Sequence, residues 1–286
     1  MPLSVRLWGT RGSVPSPGAG TVRYGGNTSC VEVRGPEGGT IILDAGTGIR
    51  ELGDALLARD GGRGVDVDLL LTHLHWDHIQ GLPFFAPLYE RGTRLRVWAA
   101  PADGEAAHER VLRRLMAPTV FPVGFEEAGA TVEFPVVPAT SWTLRGCEID
   151  HMRVWHPGGA LGYHLHAPGV RGFVFIPDNE LRAANAAPGG RERIVRFCAG
   201  ARVLLHDSTY TAEEYERRVG WGHSTVGDAL ALALEAGVER LILFHHAPER
   251  RDDEVDALLD ECRAEIARRG NALEIEAAME GGVIEV

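Results

Sequence analysis

Leu71-Thr72-His73-Leu74-His75-Trp76-Asp77-His78 places three imidazoles and a carboxylate within six positions. It follows Val67-Asp68-Leu69-Leu70-Leu71, a short apolar run that reads as a buried strand and sets the cluster at that strand's end. His73 and His75, two apart in extended chain, point to one side. Asp77 and His78 fall where the chain turns into the next segment and can address a second point nearby. Imidazole and carboxylate are the ligands that borderline divalent metals such as zinc prefer, and a set of nitrogens and oxygens leaves room for a bound water. The stretch therefore reads as half of a two-metal hydrolytic centre.

The chain has 286 residues, enough to bury a substantial core, with hydrophobic content of 44% and charged content of 24% as in ordinary soluble proteins. Its formal net charge of -11 argues against gripping long nucleic acid, which needs clustered Lys and Arg. A small anionic substrate stays compatible, because two divalent cations reverse the local field. Cys30, Cys147, Cys198 and Cys262 are scattered without C-x-x-C spacing, so neither a disulfide framework nor a thiolate zinc site is indicated. The start has no signal-peptide core and no apolar run approaches membrane-spanning length, so a cytoplasmic protein with no membrane partner is expected.

Along the chain, Ser4 to Trp8 alternates as a strand and runs into a Gly/Pro loop from Gly9 to Pro17. Cys30 to Arg34 and Thr40 to Asp44 read as a hairpin, followed by a helix through Leu57. Gly81 to Tyr89 suggests a short helix, Leu95 to Ala99 a strand, and Asp103 to Met116 a helix whose Arg110, Arg113 and Arg114 form a solvated face. Thr131 to Val137, Cys147 to Trp155, Leu161 to His166 and Phe173 to Ile176 are β-branched or aromatic and read as strands. The last third alternates: strand Val203 to Leu205, helices Ala212 to Arg218 and Val226 to Ala236, strand Leu241 to Phe244, helix Asp252 to Arg269, strand Leu273 to Ala277. This is an α/β chain whose pattern suits two sheets packed face to face with helices outside. No linker cuts it, so residues 1–286 are expected to form one domain.

A two-metal centre needs further donors at strand ends. His156 stands where a strand stops at Pro157-Gly158, Asp178 follows the run Phe173 to Ile176, and His245-His246 follows Leu241 to Phe244. A carboxylate at Asp178 is placed to bridge two ions. His164 and His166 form H-x-H on a strand, but with no acid nearby they read as core or surface residues.

With these residues in place the sequence resembles the metallo-β-lactamase superfamily, whose signature is H-x-H-x-D-H followed by a separate His, an Asp and a final His. The resemblance covers nearly the whole chain and points to the phosphodiesterase branch around ribonuclease Z. Leu205-His206-Asp207-Ser208-Thr209, Gly222-His223-Ser224-Thr225 and the closing strand with its terminal His carry it. It implies a four-layer αββα sandwich of two mixed sheets and two divalent metal ions, zinc first, with manganese or iron as alternatives. His73, His75 and His156 would hold one ion, Asp77, His78 and His245 the other, with Asp178 between; His246 stays an alternative to His245. The resemblance also implies a homodimer.

The chemistry fits such a pair of ions, which share a hydroxide that Asp77 orients. His223 is assigned the proton for the departing oxygen, with Asp207 fixing its tautomer and Ser224 or Thr225 capping the helix from Val226. Asp44 resembles the family's buried supporting acid. The branch's RNA-gripping arm lies between the middle His and the Asp; here only 22 residues separate His156 from Asp178. The expected activity is therefore hydrolysis of small phosphodiesters, cyclic or nucleotide-like. Alternatives are hydrolysis of thioesters, lactones or β-lactams, and a metal-loaded sensor without catalysis.

Overall fold

Thr40–Leu43, Asp66–Leu70, Phe173–Ile176 and Arg240–Phe244 are central strands buried along nearly their whole length, which is why they read as unbroken apolar runs. A computed structural model describes residues 3–100, 107–186 and 188–286. Its first sheet runs β14 (Val283–Glu285), β1 (Ser4–Gly9), β2 (Cys30–Arg34), β3 (Thr40–Leu43), β4 (Asp66–Leu70), β5 (Arg94–Trp98) and β6 (Thr131–Glu133). The second runs β13 (Glu274–Ala277), β12 (Arg240–Phe244), β11 (Val203–Asp207), β10 (Phe173–Ile176), β9 (Ala160–His166), β8 (Cys147–Val154) and β7 (Trp142–Leu144). Both sheets are mixed: β3 to β6 and β10 to β13 are parallel, the remaining pairs antiparallel.

Alternation along the strands assigns each side chain to a layer. Ile41, Leu43, Phe173 and Phe175 enter the core between the sheets, with Val33, Tyr163, Leu205 and Phe244. Ile42 and Leu69 face outward under α1 (Ile49–Arg59) and α3 (Ala107–Leu115). Val174, Ile176 and Leu204 face outward under α5 (Gly190–Cys198), α7 (Val226–Ala236) and α8 (Asp252–Arg268). The result is the four-layer αββα sandwich that the alternation implied. Among the described residues no helix is long and apolar enough to cross a membrane.

Several local expectations change. Gly81 to Tyr89 forms two 3-10 turns, Leu82–Phe84 and Ala86–Tyr89, because Pro83 and Pro87 supply no amide to an α-helical ladder. The strand from Thr131 stops at Glu133, ahead of Pro135, leaving an isolated bridge from Val136 to Ala99. The helix expected from Asp103 is described from Ala107; residues 101–106 lie outside the described residues. On it Arg110 and Arg114 are exposed and Arg113 pairs with Glu109 and Glu126, a solvated face as expected. His164 and His166 do have an acid: Asp150 of β8 lies opposite His164 and reaches His166 Nε2 at 3.3 Å.

One buried carboxylate ties the sheets together beside this scaffold. Asp68 is fully buried on β4 and accepts from Arg96 Nε at 2.7 Å, Trp98 Nε1 at 2.9 Å and, from the turn after β7, Arg145 Nε at 2.7 Å. Burial alone would raise its pKa, but these donors outweigh burial and hold it below the usual carboxylate range. A depressed folded pKa contributes stability above the unfolded value near 3.9 that is lost as pH falls through the folded one. Asp68→Asn is expected to lower stability near neutral pH by about 3 kcal/mol and to remove that part of the acid-side decline. Urea midpoints measured from neutral pH down to about pH 3 read both effects.

Candidate metal centre

Strand ends from both sheets deliver the polar groups to one place. β3 delivers Asp44; β4 is followed by Thr72 to His75 and by α2 (Trp76–Ile79), which carries Asp77 and His78. In the second sheet His156 follows β8, Asp178 follows β10, Asp207 ends β11 and His245 follows β12. The two sheets are pinned here by Leu161 N donating to Thr72 O at 2.9 Å and Tyr163 Oη to Leu71 O at 2.8 Å.

The structure brings all seven expected donors together. One ligand atom from each of His73, His75, His156 and Asp178 lies within 4.8 Å of the others, and Asp77, His78 and His245 meet the same limit. Asp178 faces both groups. Its Oδ2 is 3.8 Å from His73 Nε2 and 3.5 Å from His156 Nε2, while Oδ1 is 3.0 Å from His78 Nε2 and 3.3 Å from His245 Nε2. His156 Nε2 and His75 Nδ1 are 2.9 Å apart, and Asp77 Oδ2 sits 3.2 Å from His245 Nε2. His246 is turned away: its Nε2 donates to Ala278 O at 2.9 Å, so the cluster takes His245.

The donor chemistry fits a metal. His73 Nε2, His78 Nε2 and Asp178 Oδ1 are buried with no hydrogen bond among the described residues. Each such orphan costs about 1–3 kcal/mol without a partner, and three gathered in one cluster of donors fit a cation site. The opposite ring nitrogens are occupied. His78 Nδ1 donates to Asp44 Oδ2 at 2.7 Å and His156 Nδ1 to Gly222 O at 2.8 Å, which leaves both Nε2 lone pairs on the cluster. His73 Nδ1 and His245 Nδ1 each lie 3.1 Å from a hydroxyl, of Thr72 and Thr209. Burial holds His73, His75 and His156 below the usual imidazole range, in the neutral form a metal needs. At His78 burial acts in the same sense, but Asp178, Asp77 and Asp44 outweigh it and raise the pKa.

His223 stands beside the cluster. Its ring stacks on His245 with centroids 4.8 Å apart, and its Nδ1 meets Asp207 Oδ2 at 2.9 Å. Asp207 is itself fixed by Asn179 N at 3.1 Å and by Thr209 N and Oγ1 at 3.0 and 2.8 Å. Burial works against the imidazolium, yet Asp207 prevails and pushes the His223 pKa up to about 9. The helix cap next to it is Thr225, which accepts from Asp228 N at 3.0 Å. Ser224 instead ties Asn179 O to Leu181 N.

Three supports were not legible in the sequence. Glu180, buried, accepts from Gly220 N at 2.9 Å, Gly222 N at 2.7 Å and Tyr215 Oη at 2.7 Å, clamping the loop that carries His223 and the carbonyl that orients His156. The N-terminal Gly/Pro loop closes the other side: Ser13 N donates to Asp77 Oδ2 at 2.7 Å, and a Cβ on Gly12 would stand 2.3 Å from the His245 ring. Fully buried Arg11 anchors that loop, with Nε on Gly25 O and Nη1 on Ala247 O and Arg250 O. Asp44 and His245 also adopt left-handed backbone, φ 62° and 60°, unusual for residues with side chains.

Known proteins are similar to this chain. A family profile described as the beta-lactamase superfamily domain matches residues 40–246. The ribonuclease Z of Gemmatimonas aurantiaca is 28% identical over 325 aligned positions, covering 96% of each chain. The metallo-beta-lactamase fold protein YhfI of Bacillus subtilis superposes with a TM-score of 0.73 at 18% identity, over 100% of both chains. The short form of human tRNase Z gives a TM-score of 0.66 at 18% identity over 98% of each. With a profile match across most of its length and the motif residues gathered at the strand ends, the chain belongs to the metallo-β-lactamase superfamily, and ribonuclease Z proteins are among its sequence relatives.

Proposed function

We propose that the protein is a dinuclear metal-dependent phosphodiesterase acting on small, cyclic or nucleotide-like phosphodiesters. The observation that carries this reading is the His223–Asp207 pair set against a two-group donor cluster that one carboxylate spans. His73, His75 and His156 would hold one ion and Asp77, His78 and His245 another, with Asp178 available to both, and such ions would supply charge stabilisation and a water-derived nucleophile. The chain's own residues do the rest. Asp77, fixed by the Ser13 amide, orients the attacking group; His223, fixed by Asp207, carries a proton to the departing oxygen.

Substrate size follows from what lies between His156 and Asp178. That interval is filled by the turn into β9 and the antiparallel β9–β10 pair, with no projecting arm. The net charge of -11 points the same way. A second reading, cleavage of a transfer RNA precursor, draws on the nearly full-length match to a ribonuclease Z.

The test is metal analysis by mass spectrometry beside assays on bis(p-nitrophenyl) phosphate, cyclic nucleotides, a precursor transfer RNA and a chromogenic β-lactam. Close to two ions per chain and turnover of the small phosphodiesters are expected, with activity lost on chelation. Cleavage confined to the RNA would overturn the small-substrate reading, and cleavage confined to the lactam the phosphodiesterase reading.

A further inference from the structure

Next to the metal donors lies a cavity of about 210 Å³ that neither the metal ligands nor His223 accounts for. His73 and His75 form one wall, so it is continuous with the centre; Leu74, Ala99, Pro157 and Leu161 line much of the rest. An apolar cavity of about 150 Å³ already holds benzene, so a ring-sized group fits. Thr72 adds a hydroxyl, but its Oγ1 is committed to Asp44 at 3.0 Å. Among the described residues Arg153 supplies the remaining charged side chain of the lining.

Arg153 sits on β8, three residues before His156, and its side chain is exposed. Arg96 and Arg145 are spent on Asp68, whereas Arg153 makes no ion pair among the described residues. Two glycines in left-handed backbone lie between them: the Cβ position of Gly159 is 2.8 Å from Arg153 Nη2, and that of Gly158 is 3.9 Å from His75 Nε2. The guanidinium and a metal donor therefore lie against adjacent residues of one turn. A phosphodiester has two ester arms, and one anchored at the donors would extend along this wall.

Resting on the phosphodiesterase reading, we propose that this cavity receives one ester arm of the substrate and that Arg153 selects an arm bearing a second oxyanion, carboxylate or phosphate. A planar guanidinium takes either oxyanion through paired N–H donors. The apolar walls take the ring or chain between the two anionic ends.

Calorimetric titration of the metal-loaded chain with benzylphosphonate, (4-carboxybenzyl)phosphonate and p-xylylenediphosphonate tests this without turnover. A charge-assisted contact predicts roughly 10- to 100-fold tighter binding of at least one doubly anionic probe than of benzylphosphonate. That ratio should collapse in Arg153→Met, be partly kept in Arg153→Lys, and persist in Arg193→Met, which removes the same charge from α5. The tighter of the two anionic probes identifies the oxyanion. Equal affinities in the unaltered protein, a preference that survives Arg153→Met, or one lost equally in Arg193→Met would overturn the proposal. Bis(p-nitrophenyl) phosphate turnover by the same preparation reports separately on the reaction. Preference without turnover retires the phosphodiesterase reading and keeps the subsite; turnover without preference does the reverse.

Discussion

Asp178→Ala is expected to lower phosphodiester turnover by about 1,000-fold or more and to leave the chain with fewer than two tightly held ions. Among the described residues no other faces both donor groups with separate oxygens, Oδ2 toward His73 and His156 and Oδ1 toward His78 and His245. Removing it deletes the shared anion, so that two cations held by the remaining donors would repel one another without it. Several kcal/mol of transition-state stabilisation depend on ions held in fixed geometry, which sets the expected scale. Asp178→Asn keeps one neutral oxygen and should fall between the two. Metal content by mass spectrometry and kcat/KM for bis(p-nitrophenyl) phosphate check both variants. Retention of two ions with more than about a tenth of the activity would remove Asp178 from its bridging role.

The second large effect is expected at His223, and its size should depend on the leaving group. General acid catalysis contributes typically 10²- to 10⁴-fold, and a good leaving group needs it least. His223→Ala should therefore cost little on p-nitrophenyl esters and about 10³-fold or more on alkyl or ribose esters. Metal content should be unchanged, because both assigned donor groups keep all of their residues. Asp207→Asn should show the same leaving-group pattern in weaker form. A uniform loss across leaving groups would assign His223 to binding. No loss at all would shift the reaction toward thioesters or lactones, whose leaving groups depart without such an acid.

The sequence reveals these residues because the chemistry is written locally and the strands are written apolar. H-x-H-x-D-H is a contiguous stretch, Asp178 and His245 each follow an apolar run that a buried strand explains, and His156 follows a strand-like stretch that stops at Pro157-Gly158. What stayed hidden depends on pairing across the sheets. Asp150 meets His166 because β8 and β9 set it opposite His164, a register no linear spacing announces. Glu180 after Pro-Asp-Asn looks like a solvated turn acid until the 220–222 amides close on it. β7 and β14 are three-residue edge strands, too short to show alternation. α5 was missed because only Ile194 and Cys198 of its Arg- and Glu-laden sequence are buried, one turn apart. The resemblance prefers His245 to His246, and the fold separates them: His246 is turned to Ala278 O, while His245 sets Nε2 against Asp77 and Asp178.

The donors belong to both sheets: His73, His75, Asp77 and His78 to the first, His156, Asp178 and His245 to the second. Ions seated among them would bind the assembled chain and not the unfolded one. At a hundred times its dissociation constant each would add about 2.7 kcal/mol to stability. The amount of intact protein in a cell would then follow the supply of free metal, so scarcity would thin the population of molecules before it slowed any one of them.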